Sequence, residues 1–87
     1  MKISNKRYKE LIKQWNPEMV VHVRYTTKNS TGQMTFSIAF FLEFNSKILK
    51  LFKGCTIREL FVKNENTGIV LEYFDTFYEL WFYAIGR

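Results

Sequence analysis

The sequence predicts an α+β domain, an antiparallel sheet of four to five strands with two amphipathic helices on one face, in the order α-β-β-α-β-β and then a strand or a third helix. Three observations carry this. Residues 8–15 repeat their apolar side chains with a helical period, residues 19–27 and 33–44 alternate with a period of two, and polar turn segments separate the apolar runs at hairpin spacing.

Ser4 can cap a first helix whose apolar residues Tyr8, Leu11, Ile12 and Trp15 stand at i, i+3, i+4 and i+7. Lys6, Lys9 and Lys13 gather on the opposite side. The helix must end by Asn16, because Pro17 disfavours α geometry in the residue before it. Met19 to Thr27 is dense in β-branched residues and reads as a half-buried strand. Lys28 to Gly32 then forms a polar hairpin connection, with Gly32 free to take a positive φ.

Gln33 to Phe44 is the most apolar strand pattern in the chain. Met34, Phe36, Ile38, Phe40, Leu42 and Phe44 share one parity, and Phe41 alone falls on the polar one. A strand of that length and apolarity is expected in the middle of the sheet, since an edge would expose its unpaired backbone. Ser46 can then cap a short second helix, Lys47 to Lys53, closed by Gly54, with Ile48, Leu49, Leu51 and Phe52 on one arc and Lys47, Lys50 and Lys53 on the other. Thr56 to Lys63 and Ile69 to Phe74 alternate on either side of Asn64-Glu65-Asn66-Thr67-Gly68, which predicts a second hairpin. In Thr76 to Ile85, Thr76 and Glu79 fit a helix cap, whereas Phe77, Tyr78, Trp81, Phe82 and Tyr83 favour a strand.

A chain of 87 residues has room for a single domain, residues 1–87. With 47% hydrophobic and 18% aromatic residues it carries more apolar side chain than a small interior can hold, so some aromatics are expected at the surface or in an interface. The formal net charge of +5 is compatible with an anionic partner without requiring one. The only cysteine, Cys55, leaves no internal disulfide, and with one histidine there is no thiolate and imidazole set for structural zinc. No cofactor is expected, and a reducing cytoplasm is the simplest compartment. No apolar run reaches the length of a membrane span, and the first residues lack the apolar core of a signal peptide. Abundant Lys, Asn, Ile and Phe with two Ala and one Pro resemble the output of AT-rich coding, as in a low-GC bacterium or its phages.

Catalytic arrangements are poorly served. His22 lies mid-strand among valines and reads as structural, and Cys55 follows a helix end, where the dipole disfavours a thiolate. Paired carboxylates, a Gly-rich phosphate loop and a nucleophile elbow are all missing, so no enzyme is expected. The leading expectation is a small binding protein that masks or bridges a macromolecular partner, such as a phage or mobile-element inhibitor of host or defence machinery. Phe41, Tyr73, Tyr78, Trp81 and Tyr83 read first as core residues and, failing that, are its candidate protein-interface residues. The alternative function is nucleic-acid binding through Lys6, Lys9, Lys13, Lys47, Lys50 and Lys53, if both helices share one face. Aromatics beside basic residues could also stack unpaired bases, although the Lys/Arg-Gly-Phe/Tyr-Gly/Ala-Phe-Val run of sheet-based RNA binders is absent. A homodimer is a third expectation.

Overall fold

In the computed structural model, which describes residues 2–86, the chain runs α1 (Asn5–Gln14), β1 (Met19–Thr26), β2 (Thr31–Ser37), α2 (Ile38–Leu51), β3 (Thr56–Asn64), β4 (Val70–Tyr73) and α3 (Phe77–Ala84). The four strands form one antiparallel sheet in the order β2-β1-β3-β4. The α+β class and the sequence of elements follow the expectation, with the last segment taking its helical alternative.

α1 begins as expected, with the Ser4 hydroxyl accepting from the Arg7 amide at 3.2 Å. The main departure lies in residues 33–44. Their alternation persists only through Met34 and Phe36. At Ser37 the backbone is still extended, at φ −70° and ψ 158°, and the hydroxyl accepts from the Phe40 amide at 3.0 Å. That cap starts a helix where a strand was expected, and Ser46, the anticipated cap, falls inside it. Ile38, Phe41, Leu42, Asn45 and Ile48 bury one face at i, i+3, i+4, i+7 and i+10. The helix is kinked at Phe44 (φ −114°, ψ 27°), and beside the kink the Asn45 side-chain amide donates to the Leu42 carbonyl at 3.0 Å.

Shortened in this way, β2 lies at an edge of the sheet, and β1 and β3 occupy the centre. The expected central position of residues 33–44 is therefore corrected. A seven-residue strand bearing Thr31, Gln33 and Thr35 is a tolerable edge, where twelve mostly apolar residues would not be.

Gly32 is corrected as well. It sits within β2 without a positive φ, and the loop is Thr27 to Ser30, closed by the Thr27 amide donating to the Ser30 carbonyl at 2.8 Å. Its lack of a side chain matters because Tyr25 lies across it: a Cβ would stand 2.6 Å from the Tyr25 hydroxyl. Gly68, by contrast, takes the left-handed φ of +73° that its hairpin turn requires.

The core lies between one face of the sheet and the three helices. Val21 and Val23 of β1, Phe36 of β2, and Leu60 and Val62 of β3 meet Leu11, Phe41, Phe77, Leu80 and Trp81. α3 is held at its carboxy end by two donors from the α1 region: Trp15 Nε1 to the Ala84 carbonyl at 2.8 Å and Arg7 Nη2 to the Ile85 carbonyl at 3.0 Å. These satisfy carbonyls that a helix end leaves without internal partners, and Arg7 adds a cation where the helix dipole is negative. Among the described residues no helix lies on the other face of the sheet.

Candidate functional site

Two surfaces stand out, one on each side of the sheet. On the helical side, Phe40, Phe44, Lys47 and Leu51 recur at i, i+4, i+7 and i+11 and form a stripe along α2. With Met34 of β2 and Ile48 they line a groove of about 490 Å³ beside the edge strand. Phe40 is 45% exposed and Leu51 57%. The rings of Phe36, Phe40 and Phe44 follow one another at centroid distances of 6.0 and 4.8 Å. The Lys47 ammonium lies 5.1 Å from the Phe44 centroid, a cation–π contact at the groove rim. Sequence reasoning assigned Phe40, Phe44 and Leu51 to the core. The helical spacing from Phe40 to Leu51 was the signal that could have found the stripe.

On the uncovered side, one row of side chains crosses the sheet. Thr35, His22, Phe61 and Tyr73 are successive cross-strand partners on β2, β1, β3 and β4. His22 stacks on Phe61 with ring centroids 4.8 Å apart and planes 20° apart, and Phe61 is 5.2 Å from Tyr73. Lys63 stands on one side of this row, and Arg24, paired with Glu59 at 2.7 Å, on the other. Arg58 reaches the same face by donating from Nε to the Thr26 hydroxyl at 3.2 Å.

Burial, with Lys63 next in effect, holds the His22 imidazole below its ordinary value of 6.5; Glu59 opposes this and Arg24 adds to it. The folded state therefore binds this proton less readily than the unfolded chain. The stability it contributes is complete above the ordinary histidine value and is lost as pH falls from there through the lowered folded value. Urea midpoints are expected to decrease as pH falls below the ordinary histidine value of 6.5, and His22→Phe to flatten that decrease. An identical pH profile in the variant would show that other groups cause it.

Of the residues singled out from the sequence, Tyr73 and Tyr78 are exposed. Phe41 and Trp81 take the core role, which removes them as interface candidates: Phe41 is fully buried among Phe36, Phe77 and Trp81, because a helix turns it inward where a strand would have turned it out. Tyr83 is half-buried between Trp15 and Phe74, and burial, with Glu72 nearby, raises its phenol above the ordinary range. Lys6, Lys9, Lys13, Lys47, Lys50 and Lys53 are all exposed. α1 and α2 do pack on the same face, but at their junction Tyr8 donates to Glu43 at 3.1 Å, so a carboxylate stands between the two lysine sets. Among the described residues no three of His, Cys, Asp and Glu converge as metal ligands would, and no helix is long and apolar enough to cross a membrane.

Comparisons with family models, curated proteins and solved structures give no match to this chain.

Proposed function

We propose that this chain is a non-enzymatic binding protein that masks an apolar, carboxylate-bearing segment of a partner protein in the groove between α2 and β2. The observation that carries the reading is the wet side of α2. Phe40 and Leu51 remain near half exposed over a groove floored by Met34 and Ile48, large apolar side chains that the small core does not take in. Aromatic and aliphatic anchors over a pocket are the residues that dominate interface energies. Lys47, Lys50 and Lys53 follow the same stretch, which favours an acidic partner and speeds its encounter. Masking of this kind suits an inhibitor of host or defence machinery encoded by a phage or mobile element, as does the AT-rich composition. Cys55 is a free thiol, which suits a reducing cytoplasm.

The test combines Phe40→Asp with Leu51→Glu, two exposed positions whose change leaves the core intact. Affinity capture from nuclease-treated host lysate should retain a discrete protein with the native chain and lose it with the variant. Calorimetry with that purified partner should then show at least about 30-fold weaker binding, as loss of a hot spot predicts. Identical binding by both chains would remove the groove from the mechanism. Sedimentation of a dimer that the same variant dissociates would make a second copy the occupant and overturn the masking role.

A further inference from the structure

We infer that the uncovered sheet face binds single-stranded nucleic acid, with bases stacked on Phe61 and Tyr73 and phosphates held by Arg24, Arg58 and Lys63. This site lies on the opposite side of the sheet from the groove and does not depend on it.

The argument starts from the strand register. Cross-strand pairing brings His22, Phe61 and Tyr73 into one continuous row, and the rings contact one another at 4.8 and 5.2 Å. Such a row is costly to leave in water unless something covers it, and Tyr73 is 61% exposed. Every base has a flat π face, so a row of rings accepts successive bases without regard to sequence. Pairs in a duplex are already stacked on each other, which restricts the row to unpaired strands.

Charge selects the same ligand. The strand positions flanking the row carry Arg24, Arg58 and Lys63 against one carboxylate, Glu59, in a chain of formal net charge +5. Arg24 is already held by Glu59 and Arg58 by Thr26, so both guanidinium groups are oriented before a phosphate arrives. Glu72, the carboxylate beside Tyr73, pairs with Val62 and so falls on the helical side of the sheet. The uncovered face therefore keeps an excess of positive charge where a backbone would run. An apolar partner protein would use the rings but leave Arg58 and Lys63 without an anionic partner.

Fluorescence anisotropy with a labelled oligouridylate of about 12 nucleotides tests this, with a duplex of equal length as control. The native chain should bind the single strand, prefer it to the duplex, and lose affinity steeply between roughly 50 and 200 mM salt. Tyr73→Ala should weaken binding about 10-fold with little change in salt dependence. Phe61→Leu, which keeps the apolar bulk that the sheet needs, should act in the same way. Lys63→Gln should instead reduce the salt slope by about one phosphate contact. Phe40→Asp with Leu51→Glu should leave oligonucleotide binding unchanged, which separates this site from the groove. Absence of binding at low salt would overturn the inference. So would binding that survives the Phe61 and Tyr73 changes and disappears when Lys47, Lys50 and Lys53 become Glu, since the ligand would then lie on the helices. Equal affinity for the duplex would do the same.

Discussion

Replacing Phe41 with alanine is expected to destabilise the domain by about 3–5 kcal/mol, whereas the same change at Phe40 should cost less than about 1 kcal/mol. The two residues are adjacent and chemically identical, so the contrast isolates their placement. Phe41 is fully buried and its ring lies 6.1 to 6.3 Å from those of Phe36, Phe77 and Trp81. Truncation removes apolar burial, loses three aromatic neighbours, and leaves a void that helices on two sides cannot easily close. Small domains commonly have only about 5–15 kcal/mol of stability, so Phe41→Ala should stand near the edge of folding. Phe40 already has much of its ring in water, and alanine is a strong helix former. Urea titration followed by circular dichroism measures both. A larger loss at Phe40 than at Phe41 would mean that residues 38–44 continue the strand and that α2 begins later.

Trp81→Ala is expected to cost a similar amount, about 3–5 kcal/mol, while Phe82→Ala should be close to neutral. Trp81 is buried and meets Phe41 edge-on at 6.2 Å, so it joins α3 to α2. Phe82 is nearly half exposed on the outer side of the same helix. The amides of Phe77–Ala84 should lose hydrogen-exchange protection in the Trp81 variant before those of β1 and β3. Although Trp15 Nε1 and Arg7 Nη2 still bind the end of α3, a helix of eight residues depends on packing to persist. Equal protection across all elements would indicate that α3 and the sheet unfold as one unit.

Both predictions fall on segments whose periodicity has two readings, and this marks how far the sequence could be read. In residues 38–44, Ile38 and Leu42 are four apart, which places them on one side under either a period of 2 or one of 3.6. Only Phe40 and Phe41 separate the two, and both are phenylalanine. The out-of-place Phe41 and the capping side chain of Ser37 were the local signs of a helix, outweighed by the longer alternation. In residues 77–84, Phe77 and Trp81 are again four apart. There Leu80 and Ala84, both buried, distinguish the helix from a strand that would have buried Glu79 and Tyr83. The candidate surfaces were less legible than the fold. The groove depends on where α2 begins. The row on the sheet depends on the pairing of β1 with β3, which brings together His22 and Phe61, 39 positions apart in the chain.

Taken alone, the amino-acid sequence determined α1 with its Ser4 cap, the strand at β1, the hairpin of β3 and β4 around Gly68, and the α+β class, because in each a single period or a single turn residue admits one local conformation. Tertiary structure decided the change from strand to helix at Ser37, the edge position of β2, the helical state of α3, and which aromatics face water. Where nearly every side chain is apolar, local pattern cannot say which of them is inside. The answer comes from the elements that arrive to cover them, and here three helices cover one face of the sheet while the other face and the outer side of α2 stay open.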